Sequence, residues 1–292
     1  MAKTTRRKTR NLELRSPRWK WPPKFKEKPL IPPGDRVIIL GCGTSAGSPI
    51  LGCTCPTCSS SDPRNNRGRA SVAIQSKGRC FLVDTSPDLR QQALANKLNW
   101  VDAVLFTHPH ADHLHGIDEM RTYNYLTGRV IPAYGNEWTL REIIDRFGYI
   151  FEEGYEGGGK PRLDLHLMQR PRAIVGVKVI PLPVDHGSMP VLGYRIKDIA
   201  YITDCSSVPD RTFRSLKNLD VLVLDCLRPG KHTTHLSVDE AIILAHKIKA
   251  KRTYFTHMGH EIEYNDFAKS LPATMQPAYD GLVIECTGGN DP

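Results

Sequence analysis

The 292-residue sequence has no apolar run approaching the roughly 18 residues of a membrane span. Its basic N-terminus has no apolar core of the kind a secretory signal carries, so a cytoplasmic protein without a membrane partner is expected. The glycine-rich stretch Gly41-Cys42-Gly43-Thr44-Ser45-Ala46-Gly47 lacks both the lysine of a P-loop and the spacing of a dinucleotide fingerprint. It suits a chain that turns after a first strand. Eight cysteines are too few in this length for a disulfide framework. Cys42, Cys80, Cys205, Cys226 and Cys286 lie in or beside apolar runs and read as small core residues.

Net charge is absent from most of the chain. Residues 1–30 hold eleven Lys or Arg against two acids, which accounts for the whole net charge of +9, so the remainder is formally neutral. Trp19, Trp21, Phe25 and several prolines are interleaved with that charge. Such a segment can meet nucleic acid by phosphate contact and stacking, dock onto the body or a second subunit as in a homodimer, or remain a solvated arm. The expected organisation is a basic, proline-rich tail over 1–34 and one domain over 35–292.

The strongest signal is His108-Pro109-His110-Ala111-Asp112-His113, four metal-binding side chains within six residues. It follows the strand-like run Val101–Phe106, so the ligands are delivered at one end of a sheet. Three further apolar segments end in the same way, on His186, Asp204 and His257. One His or Asp at a strand end is ordinary. Seven such residues at four strand ends are what a two-metal hydrolytic site needs. A second cluster, Cys53-Thr54-Cys55-Pro56-Thr57-Cys58, offers three thiols that can surround one tetrahedral zinc with a fourth ligand. His260, three residues past His257, is placed to supply it.

Around these motifs the sequence alternates strands and helices. Val37–Leu40 reads as a strand, and 70–75 and 80–84 as a pair joined by Ser76–Arg79. Ser86-Pro87-Asp88 predicts a helix to about Lys97, capped by the serine. A helix is predicted over 139–147, and 152–160, with four glycines, reads as a connecting loop or lid. Strands over 174–182, 194–196, 199–203 and 221–224 precede a capping box, Ser237-Val238-Asp239-Glu240, that opens a helix to about Ala250. His235 stands just before that helix, where free backbone N–H groups attract an anion. This pattern alone says α/β.

The motifs together resemble the metallo-β-lactamase-fold hydrolases: Asp84, His108-x-His110-x-Asp112-His113, His186, Asp204 and His257 occur in the family's order. The resemblance implies a four-layer αββα sandwich. It also implies that His108, His110 and His186 hold one divalent metal, Zn or Mn, and that Asp112, His113 and His257 hold a second. Asp204 would bridge the two, and Asp84 would orient a ligand. The glycine-rich turn, the Cys53/Cys55/Cys58 knuckle over 52–58 and His257-x2-His260 are similar to the PhnP-like branch. Its members carry a structural zinc on three cysteines and one histidine, and include phosphoribosyl 1,2-cyclic phosphate phosphodiesterase. The implied activity is metal-dependent hydrolysis of a small cyclic phosphate ester, with Asp112 and His235 catalytic. His235, favoured over His232, would be the proton donor. The alternatives are a ribonuclease Z-like RNA-processing enzyme and a thioester or lactam hydrolase of the same fold.

Overall fold

The structure, a computed structural model, describes residues 28–152 and 159–287. Six strands come first: β1 (Arg36–Gly41), β2 (Ser71–Ser76), β3 (Arg79–Val83), β4 (Ala103–Leu105), β5 (Ile131–Gly135) and β6 (Leu163–Leu167). Seven follow: β7 (Arg172–Ile174), β8 (Val177–His186), β9 (Met189–Ile196), β10 (Ile199–Ile202), β11 (Val221–Asp225), β12 (Arg252–Thr256) and β13 (Met275–Pro277). A last strand, β14 (Val283–Glu285), returns to pair with β1. The result is two seven-stranded mixed sheets, β14-β1-β2-β3-β4-β5-β6 and β13-β12-β11-β10-β9-β8-β7.

Period-two alternation explains the layering. On β1, Val37 and Ile39 face the core shared by the two sheets, with Leu182, Tyr194, Tyr201 and Leu222 from the second. Ile38 and Leu40 point the other way, into a core with helical residues Leu89, Met120, Leu140 and Ile143. Because both faces of the strands are covered, they read as continuous apolar runs. The helices carrying those residues are α1 (Leu89–Ala95), α3 (Met120–Thr127) and α4 (Glu137–Arg146). Between α1 and α3 lies the single turn α2 (Ala111–Leu114). After α5 (Asp210–Phe213), α6 (Val238–Ile248) covers the second sheet through Ala241, Ala245 and Ile248. Tyr264–Ser270 forms α7. The architecture is the expected αββα sandwich.

The capping box is present: Ser237 Oγ accepts from Glu240 N, and Glu240 reaches back to Ser237 N. Two local expectations differ. The first helix begins at Leu89 rather than beside Ser86, because Ser86 Oγ is engaged with Gln92 Oε1 at 2.8 Å and Asp88 pairs with Arg69. Cys286 is only partly buried, unlike the other four predicted core cysteines, because it follows the edge strand β14. Most of the tail and most of the 152–160 loop fall outside the described residues. Lys28, the first described residue, bonds Asp102 at 2.6 Å and the Gly78 carbonyl at 2.7 Å. Among the described residues no helix is long and apolar enough to cross a membrane.

Candidate metal centre

Six strands point their C-terminal ends at one place, the usual location of a site in sheets of this kind. Asp84 follows β3, His108–His113 follow β4, and His186 ends β8. Asp204 follows β10, Asp225 ends β11, and His257 follows β12. Asp84, Asp204 and His257 have φ of 64°, 51° and 59°, a left-handed conformation uncommon for residues other than glycine. The motif after β4 lies tight against the loop after β3. A Cβ on Gly116 would sit 1.9 Å from the Ser86 carbonyl oxygen, so only glycine fits there.

Asp84 organises the first half of the site. Its carboxylate accepts from Thr107 N at 2.8 Å, Thr107 Oγ1 at 2.7 Å and His113 Nδ1 at 2.7 Å. That last bond puts the His113 proton on Nδ1 and turns Nε2 inward, to 3.3 Å from both Asp112 and Asp204. His186 Nδ1 likewise donates to the Thr234 carbonyl at 2.8 Å, leaving Nε2 for the site. His257 Nε2 lies 3.6 Å from Asp112 and 3.5 Å from Asp204.

Three overlapping groups result: His108, His110, His186 and Asp204; Asp112, His113 and His257; and Asp204, His235 and His257. In each, the donor atoms lie within 4.8 Å of one another. His113 Nε2 and both ring nitrogens of His257 are buried without a hydrogen-bond partner among the described residues. Electrostatics agree with that geometry. Burial pulls the His257 ring down, but Asp204 and Asp112 outweigh it and raise its pKa to about 9. Burial also raises the Asp204 carboxyl, yet the rings of His257, His113 and His108 hold it well below its ordinary range. The cluster favours positive charge at its centre, and its N/O donor set fits divalent cations.

Sequence reasoning missed Asp225. It is fully buried, accepting from His235 Nδ1 at 3.2 Å, Leu236 N at 3.0 Å and Asp204 N at 3.1 Å. His235 Nε2 is thereby directed inward, 3.8 Å from Asp204. The signal was available, since Asp225 ends an apolar run as the other site residues do. His232 is exposed, its ring centre 5.2 Å from that of His235.

The thiols meet His260 as expected. Its Nδ1 lies 3.3 Å from Cys53 Sγ, 3.5 Å from Cys55 Sγ and 3.6 Å from Cys58 Sγ. The Cys58 backbone N–H, donating to Cys55 Sγ, leads the effects that lower that thiol's pKa to about 6. Four donors in this arrangement fit a closed tetrahedral zinc site.

The β-lactamase superfamily domain matches residues 79–258. A diphosphatase of the PhnP family is similar in structure, with a TM-score of 0.81 and 42% identity, covering 86% of this chain and 96% of that one. Zn²⁺-bound PqqB from Methylobacterium extorquens shares the fold, with a TM-score of 0.70 and 22% identity over 85% of this chain and 99% of that one. The chain is 35% identical to an octanoyltransferase from Porphyromonas gingivalis over 85% of its own length. It spans only 51% of that protein.

Proposed function

This chain belongs to the PhnP-like branch of the β-lactamase superfamily, a metal-dependent hydrolase, and we propose that it is a two-metal phosphodiesterase acting on a small cyclic phosphate ester. Phosphoribosyl 1,2-cyclic phosphate and nucleoside 2′,3′-cyclic phosphates are such esters. The observation that carries this reading is the convergence of partnerless, buried ring nitrogens of His113 and His257 on Asp204, beside a histidine already held by a carboxylate.

In this reading His108, His110 and His186 hold one divalent ion, Asp112, His113 and His257 the other, and Asp204 both. When bound, such a pair supplies Lewis acidity to a water and to the phosphate oxygens. The protein does the rest. Asp84 fixes the His113 tautomer, and the Thr234 carbonyl fixes that of His186. Asp225 holds His235 by Nδ1 and leaves Nε2 facing the cluster. From there Nε2 can deliver a proton to the departing alkoxide. The Cys53, Cys55, Cys58 and His260 group holds a structural zinc, tying the 52–58 loop to the residues just past His257.

Bis(p-nitrophenyl) phosphate, a nucleoside 2′,3′-cyclic phosphate, a diphosphate ester and a pre-tRNA, assayed with metals counted in the same sample, test this. Turnover of the cyclic ester with about three metals per chain is the expected result. Cleavage of the tRNA alone would replace this reading with RNA processing. Inactivity on all four with metals in place would refute phosphoester hydrolysis.

A further inference from the structure

The loop between β11 and α6 forms one wall of the cluster. Its Thr234 carbonyl accepts from His186, and Thr234 Cγ2 comes within 3.1 Å of where a Cβ on Gly187 would stand. His235 faces inward from this loop, its ring centre 4.7 Å from that of His186 and 4.8 Å from that of His257. The same loop carries two groups that ester cleavage leaves unused.

Arg228 is only partly exposed. Its Nε is buried with no hydrogen-bond partner among the described residues, while Nη2 bonds the Lys231 carbonyl at 3.2 Å. No carboxylate among the described residues lies within 4.0 Å of its guanidinium. A guanidinium held in place, partly dehydrated and without a counter-charge is prepared for an anion that arrives with a ligand. His232 is its neighbour in charge: burial first, then His235 and Arg228, lower the His232 pKa. The Thr234 backbone N–H can only donate, so His232 Nδ1, 3.3 Å away, accepts, and the neutral ring carries its proton on Nε2. Next to the proton donor the loop thus presents one fixed cation and one neutral N–H donor.

We propose that Arg228 and His232 form a recognition subsite for a second phosphate of the substrate, one not being cleaved. A planar guanidinium fork matches two phosphate oxygens, and the imidazole N–H can take a third. The substrate class narrows to cyclic phosphate esters that carry another phosphate on the same small molecule. This rests on the reading of the cluster as a phosphoester centre.

The test compares a nucleoside 2′,3′-cyclic phosphate with its 5′-phosphorylated form, which differs only by the second phosphate. Wild type should prefer the 5′-phosphorylated ester in KM. Arg228→Ala should reduce that preference about tenfold or more, the scale of a lost charge-assisted hydrogen bond. Arg228→Lys should restore part of it, and His232→Ala should reduce it less. Equal losses on both esters, or no wild-type preference, would overturn the proposal. If wild type hydrolyses neither, the phosphoester reading falls. The subsite is then judged by calorimetry as the difference in Kd between the two nucleotides, and equal Kd values would sink it too.

Discussion

The two donor clusters of this chain are built in opposite ways. The thiol cluster takes three of its four members from six consecutive residues, all four members are partly exposed, and its donors are sulfur and one imidazole. The other draws on strand ends from Asp84 to His257, is mostly buried, and offers nitrogen and oxygen. A local cluster needs only a loop and one distant histidine. The dispersed cluster exists only once both sheets have docked, because its members come from β3 and β4 on one side and β8, β10, β11 and β12 on the other. The first suits holding structure, and the second suits chemistry, where mixed donors leave positions for water and substrate.

Substitutions can break that contrast. The largest effect is expected at the shared carboxylate. Asp204→Ala should abolish hydrolysis with the fold retained by circular dichroism, and near-normal turnover would remove Asp204 from its role. His235→Ala should lower kcat by roughly 10²–10⁴-fold. Its metal content, read by elemental analysis, should stay intact, and a loss of metal would make His235 a ligand instead. Cys55→Ser should cost one zinc per chain and lower Tm, on the order of 2–4 °C for each kcal/mol lost. The hydrolytic metals should remain, and a variant that kept all its zinc would refute the knuckle.

The smallest effect lies outside both clusters. Asp280 accepts from Cys42 N at 3.0 Å and Gly68 N at 2.7 Å, and burial raises its pKa from 3.8 to about 6. Folding therefore favours the protonated form. Its contribution is fully present below pH 3.8 and is lost as pH rises through about 6. Asp280→Asn should flatten the dependence of Tm on pH across that window, and an unchanged slope would show that another group titrates there.

Much of this site was legible because its chemistry sits at the ends of apolar runs. The His108–His113 motif, the single residues His186, Asp204 and His257, and the knuckle are all where their spacing predicts. Less legible was what holds them. Asp225 resembles any aspartate after a strand until the fold places His235 against it. The strand β5 contains Pro132, which argues against a strand flanked on both sides, as this one is by β4 and β6. The strand β6 alternates as an edge strand should, but it is short and directly follows the glycine-rich loop. β13 and β14 have three residues each, too few for any period to register. The helix expected from Ser86 starts later because Arg69, distant in sequence, claims Asp88.

The pairing of β1 with β14 has a consequence for how this domain can be joined to others. Arg36 lies opposite Glu285, and β1 runs from there toward Cys42, whose carbonyl accepts from Met258 beside His257. The first and last strands thus have their outer ends side by side, at the end of the sheet away from the metal cluster. A tethered partner attached before β1 or after β14 would leave the mouth of the centre open. The fold can therefore be spliced to another enzyme, or be circularly permuted through a short bridge between those ends, while keeping its reaction chamber accessible.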